Sequence, residues 1–133
     1  MAAGGVPVRL KLLTLALVVG LVGLSGPLAA HHAWPVSYSK LVTVKGTVLD
    51  FTWANPHPMI ALDVRTSDGK AEKWSVGGPA LNRMENNGWS RNTVKTGDVL
   101  TATGYQFADG QKILRLEKVI MPDGKEMFLY GRR

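Results

Sequence analysis

The chain has 133 residues, a formal net charge of +6 and no cysteine. The missing cysteine excludes disulfides, covalent haem attachment and thiol redox chemistry. The positive charges are dispersed, which indicates a solvated surface or an acidic neighbour, and we expect no nucleic-acid partner.

Residues 1–30 have the organisation of a cleaved secretory signal peptide. Two basic residues precede an uncharged apolar run from Leu12 to Leu24, and Ser25-Gly26-Pro27 ends that run before a stretch of small residues. The run is short for a membrane span, which needs roughly 20 apolar residues. We therefore predict cleavage after Ala30, a periplasmic or secreted protein, and no membrane span after processing.

Processing leaves about 100 residues, enough for one small domain. We predict an N-terminal segment over residues 31–40 and a β-rich domain over residues 41–133. Alternating apolar positions and turn signals predict strands at Leu41–Trp53, Met59–Arg65, Ala71–Val76, Val99–Tyr105, Lys112–Met121 and Met127–Tyr130.

Two details of this pattern carry information about the fold. The inward parity of the first strand changes between Gly46 and Leu49, which predicts a β-bulge there. Pro79 suits the first position of a short helix that Asn86-Asn87-Gly88 would end. Three strands, a small helix and two further strands are the order of an OB-fold. We expect an all-β protein with one short helix, an OB-fold-like, five- to six-stranded, partly open barrel.

Several motifs together resemble a known family. They are an exported leader ending in Ala-His-His, Gly46-Thr47-Val48, Trp53-Ala54-Asn55-Pro56-His57, Gly88-Trp89-Ser90-Arg91, Gly97-Asp98 and Gly104-Tyr105. This set is similar to the small exported bacterial proteins catalogued as domain of unknown function 6152. In that pattern the histidine pair is usually followed by Ser and Phe, whereas Ala33 and Trp34 follow here. The resemblance implies export and a barrel-like fold, and it implies no activity.

The histidines are the candidate metal ligands. The chain has three, and cleavage after Ala30 would place His31 and His32 at the new amino terminus. An amine beside an imidazole suits Cu(II), which prefers nitrogen and oxygen ligands in tetragonal geometry. With His57 as a third nitrogen donor, the set resembles a copper histidine brace. Cleavage one residue earlier would resemble the amino-terminal copper and nickel motif instead.

A structural role is the alternative for the same residues. Terminal residues are often disordered, and His57, between two prolines, could simply bond a carbonyl and hold the bend. Met59 and Asp63 are additional candidate ligands near it in sequence.

An aromatic barrel face is the second candidate site. Phe51, Trp53 and Tyr105, with Asn55 in the adjoining turn, would form a ligand-binding platform that Phe107 extends. Such a platform would bind an envelope polysaccharide or a protein partner, and Lys45, Lys73 and Arg91 would attract an anionic one. We expect one or two of the four aromatic side chains to be exposed, and Trp74 and Trp89 to lie in the core.

Enzyme signals are weak. The serines and threonines have no histidine and acid at a recognised spacing, and the Asp-Gly pairs are explained by turns. We expect a binding protein, with a copper-dependent redox enzyme built on the same histidines as the least favoured alternative.

Overall fold

The computed structural model describes residues 7–9 and 33–131, and the chain divides into two compact units, Met1–Ala33 and Trp34–Arg133. In the first unit Val8 and Arg9 are helical. Apart from residues 7–9, the predicted signal peptide and its cleavage site lie outside the described residues. Within the described residues, no helix has the length and apolar character needed to cross a membrane.

The second unit is an antiparallel barrel with one short helix. The described elements are β1 (Val36–Thr52), β2 (Met59–Arg65), β3 (Ala71–Gly77), α1 (Leu81–Asn86), β4 (Val99–Phe107), β5 (Ile113–Ile120) and β6 (Glu126–Phe128). The strand order is β3-β2-β1-β4-β5-β6, and a parallel pairing between β3 and β5 closes the ring of the first five strands. The ring is uneven around its axis, so the predicted partly open, OB-like barrel is confirmed.

The first strand serves both halves of the barrel. Its amino-terminal half pairs with β4, from Val36 to Thr47, and its carboxyl-terminal half pairs with β2, from Gly46 to Thr52. The register shifts between Val48 and Asp50, which confirms the predicted bulge. A side chain at Gly46 would meet the backbone oxygen of Asp63 at 2.8 Å, so β2 crosses β1 closely there.

The strand begins five residues earlier than the sequence predicts. Val36 pairs with Phe107, and the backbone N–H of Ala108 donates to the carbonyl of Pro35 at 2.9 Å. The pairing is irregular between Val36 and Leu41, where Tyr38 and Leu41 are exposed. Because no alternation of buried and exposed residues runs through this stretch, the sequence pattern hides it, and part of the predicted 31–40 segment is strand.

The helix begins later than predicted. Ala80, with φ −55° and ψ 152°, is the residue before the helix, and Pro79 lies buried outside it. The Oδ1 atom of Asn55 accepts a hydrogen bond of 3.1 Å from the N–H of Leu81. A distant turn therefore supplies an acceptor for the first of the N–H groups that have no partner within the helix.

The core fills the barrel interior with alternate residues of every strand and one residue of the helix. Trp74 and Trp89 are 9% and 2% exposed, as predicted, and the indole N–H of Trp89 donates to the Phe128 carbonyl at 3.1 Å. The remaining core side chains are aliphatic or methionine, with Leu62, Val76, Leu100, Leu114 and Leu129 fully buried.

Candidate functional site

Trp34 lies in a notch on the outside of the barrel wall. Its ring contacts Phe107 of β4 with centroids 5.8 Å apart, nearly edge-on. A Cβ atom at Gly77 would lie 2.4 Å from Cη2 of Trp34 and 2.4 Å from Sδ of Met59. The notch exists because position 77 has no side chain, and the indole occupies that space together with the Met59 thioether.

His57 lies against the same indole. The centroids of the Trp34 and His57 rings are 4.6 Å apart and the ring planes are tilted by 52°. His57 Nδ1 lies 3.0 Å from the carbonyl oxygen of Gly78, whose own N–H donates to the Pro58 carbonyl at 3.0 Å. The end of β3 and the entry to β2 are thus tied together at the histidine.

The hydrogen bond to Gly78 fixes the tautomer of a neutral His57. A carbonyl oxygen can only accept, so Nδ1 must carry the proton. The lone pair then remains on Nε2, the nitrogen that can take a metal or a proton. A histidine that binds a metal commonly donates its other ring N–H to a backbone carbonyl in this way.

Of the other predicted metal ligands, the structure describes Met59 and Asp63. His31 and His32 lie outside the described residues. Met59 lines the Trp34 notch, and Asp63 lies four residues further along β2, roughly 13 Å away at the strand rise, where it pairs with Arg65 at 3.5 Å. Among residues 33–131 and 7–9, no three histidine, cysteine or carboxylate side chains cluster as a metal site would require.

The predicted aromatic platform is divided between two sides of the barrel wall. Phe51 is paired with buried Ile60 and packs with Trp53 against the core, their rings 5.6 Å apart. Tyr105 and Phe107 flank buried Gln106 and therefore point outward.

All four platform rings are intermediate in exposure, and none is in the exposed class that we expected for one or two of them. Tyr105 contacts Tyr38, with ring centroids 5.2 Å apart. Asn55 does not join either pair, because its side chain oxygen is bonded at the start of α1. The cations Lys45, Lys73 and Arg91 are exposed on β1, on β3 and in the loop after α1 respectively.

A cleft of about 460 Å³ opens between the loop after α1 and the turn that joins β5 to β6. Two aspartates and two lysines line it, with Met121 and Met127. Its aspartates are already bonded to backbone, since Asp98 accepts from the N–H of Lys95 at 2.9 Å and Asp123 from that of Lys125 at 2.9 Å. Both carboxylates of the cleft therefore stabilise the turns in which they lie.

Sequence reasoning missed the part played by Trp34, which the pattern presents only as an aromatic residue near the histidines. The available signal was the Gly77-Gly78 pair, because a glycine at the end of a strand often marks a close approach by another group. What approaches Gly77 is a residue 43 positions away in the chain.

The fold and this site define a small OB-like β-barrel with an outward-facing histidine held against an indole. The chain belongs to the family of unknown function DUF6152, whose family model matches residues 18–114. No curated protein and no solved structure matches the chain.

Proposed function

We propose that this protein is exported and binds copper through its mature N-terminal histidines, His31 and His32, together with His57. The observation that supports this most directly is the hydrogen bond from His57 to the Gly78 carbonyl. It holds the imidazole in one orientation and reserves Nε2 for a ligand, as in established metal sites. Trp34, which contacts the His57 ring, follows His32 by two residues in the sequence.

The chemistry of the donors favours copper among the common divalent ions. Nitrogen donors from an amine and imidazoles suit Cu(II), which also has the highest affinity of the first-row series. The Met59 thioether lines the notch beside Trp34, and thioethers suit Cu(I). The proposed site therefore offers donors for both oxidation states.

The first measurement is the intact mass of the protein purified from the cell envelope, with and without bound metal. A mass that corresponds to a chain starting at His31 supports the proposal. Retention of residues 1–30 contradicts it, because the amine would then belong to Met1.

The second measurement is Cu(II) affinity, determined by competition with a chelator. The processed protein is compared with His57→Asn and with a version that carries three extra residues before His31, so that neither His31 nor His32 stands in the third place that the amino-terminal copper and nickel motif requires. Asn places an amide N–H where Nδ1 lies, so it keeps the bond to Gly78 and removes only Nε2. We expect each change to weaken binding by at least about tenfold.

Tryptophan fluorescence supplies a position-specific readout. Bound Cu(II) should quench the indole nearest the site, so Trp34→Phe should remove most of the quenching without removing copper affinity. Unchanged affinity in both the extended and the His57→Asn proteins would refute the copper proposal.

A further inference from the structure

A row of arginine and tyrosine side chains runs from β1, β4 and β5 to α1 through a tyrosine that follows β6. We name it the arginine–tyrosine strip, and its members are Arg83, Tyr130, Arg115, Tyr38 and Tyr105. Arg115 flanks buried Leu114 and Leu116 and so points outward from β5, directly beside Tyr105 of β4. The strip shares no residue with the proposed copper site.

Contacts between guanidinium groups and rings build the strip. The Arg115 guanidinium carbon lies 3.9 Å from the Tyr130 ring centroid and 6.0 Å from that of Tyr38. The Arg83 guanidinium carbon lies 5.1 Å from the same Tyr130 centroid. Stacking on a ring orients a guanidinium and leaves its N–H groups in the plane available to an acceptor.

The charges in the strip are not balanced. Arg115 forms an ion pair with Glu117, but within residues 33–131 no carboxylate forms one with Arg83, which is exposed. Burial raises the pKa of the Tyr130 hydroxyl, so this ring adds no negative charge to the strip. The strip thus presents an excess of positive charge with fixed, planar hydrogen-bond donors.

At the other end of the strip one ring is exposed and its neighbour is half-buried. Tyr38 is 66% exposed, and its ring is tilted by 59° against that of Tyr105. Two adjacent rings provide a surface for the C–H faces of a sugar, and the exposed Arg83 at the other end of the strip provides a donor for a carboxylate. An acidic peptide would bind to the arginines but would gain less from contact with the tyrosine rings.

From these contacts we propose that the arginine–tyrosine strip binds an acidic polysaccharide, with a carboxylate on the Arg83 guanidinium and sugar rings on Tyr38 and Tyr105. The Arg115 side chain is 14% exposed and already paired with Glu117, so its part is to hold the tyrosine rings of the strip in place. Arg83 contributes the guanidinium that no ion pair already occupies.

The test is calorimetric titration of the protein, purified from cells that express the full chain, with oligogalacturonate. A chelator is present, so that the result is independent of copper. Neutral maltooligosaccharide of the same length and poly-glutamate are titrated in parallel. We expect oligogalacturonate to bind and the neutral oligosaccharide not to bind.

Two variants and one control locate the site. Arg83→Gln should weaken oligogalacturonate binding by about tenfold, the effect of losing a charge-assisted hydrogen-bonded pair. Tyr38→Leu should weaken it by about threefold, because the sugar loses contact with an aromatic ring. Arg65→Gln removes the same charge at the end of β2, a strand that contributes no residue to the strip, and should change binding by less than about twofold.

Three outcomes would overturn the proposal. The first is the absence of oligogalacturonate binding. The second is an equal loss in Arg65→Gln and Arg83→Gln, which would assign binding to net charge. The third is poly-glutamate binding that equals or exceeds oligogalacturonate binding, which would assign the strip to an acidic polypeptide.

Discussion

Gly77→Ala tests how the barrel holds Trp34. The backbone at Gly77 is outside the left-handed region, so alanine can adopt it without strain. At a strain-free position with open space, replacing glycine by alanine stabilises a protein by about 0.4–1 kcal/mol. At Gly77 the new methyl group meets Trp34 and Met59, each at 2.4 Å, and this contact should reverse the sign.

The size of the effect follows from which neighbour can move. The Met59 thioether is flexible and can rotate away at little cost. The Trp34 indole is rigid and confined by Phe107 and the His57 ring, so it must leave the notch or push the strand end outward. Overpacking of this kind costs about 1–3 kcal/mol, and we expect Gly77→Ala to lower the free energy of unfolding by that amount.

The assay is urea unfolding of four proteins: the unmodified chain, Gly77→Ala, Trp34→Ala and the double variant. If the new methyl group acts through the indole, its cost should fall below about 1 kcal/mol once Trp34 is absent. The coupling between the two sites should then be about 1–2 kcal/mol. Additive effects, or a Gly77→Ala protein that is more stable than the unmodified one, would refute this account of the notch.

Three further predictions concern stability and pH. Asn55→Ala should lower the free energy of unfolding by about 1 kcal/mol in urea melts, because the N–H of Leu81 loses its acceptor. The bond to Lys112 lowers the pKa of Glu72. Its contribution to the free energy of unfolding is therefore present above the unfolded pKa of about 4.5 and is lost as pH falls through the folded pKa. Glu72→Gln should flatten the acid limb of a plot of stability against pH. Tyr130 has a raised pKa, so its contribution is lost as pH rises through the folded pKa, above 10.0, and Tyr130→Phe should flatten the alkaline limb.

Local patterns in the sequence predicted most of the fold. Alternation in Met59–Arg65 predicted β2 with the bounds that the structure has. The parity change predicted a bulge between Gly46 and Leu49, and the structure has it between Val48 and Asp50. These features follow from neighbours in the sequence, since side chains of a strand alternate between faces. The order of strands around one helix then sufficed for an OB-like barrel.

The sites depend on contacts between distant parts of the chain, and local patterns do not contain these. Phe51 and Tyr105 look alike in sequence, but the bulge in β1 turns one toward the core, while unbroken alternation in β4 turns the other outward. The contact of Trp34 with Gly77 and the bonds of Asn55 and His57 all join separate elements. The role of His57 as a carbonyl partner was foreseen as an alternative because its flanking prolines indicated a fixed bend.

The position of Trp34 has a consequence for the closure of the barrel. Parallel strands β3 and β5 meet over the short register from Ser75 to Gly77, the seam at which the cylinder would part first. Trp34 lies against Gly77 of β3 on one side of that seam and against Phe107 of β4 on the other. The indole therefore links strands on the two sides of the β3–β5 pairing. A force that pulls on the amino-terminal end of β1 would displace Trp34 and weaken the closure of the barrel.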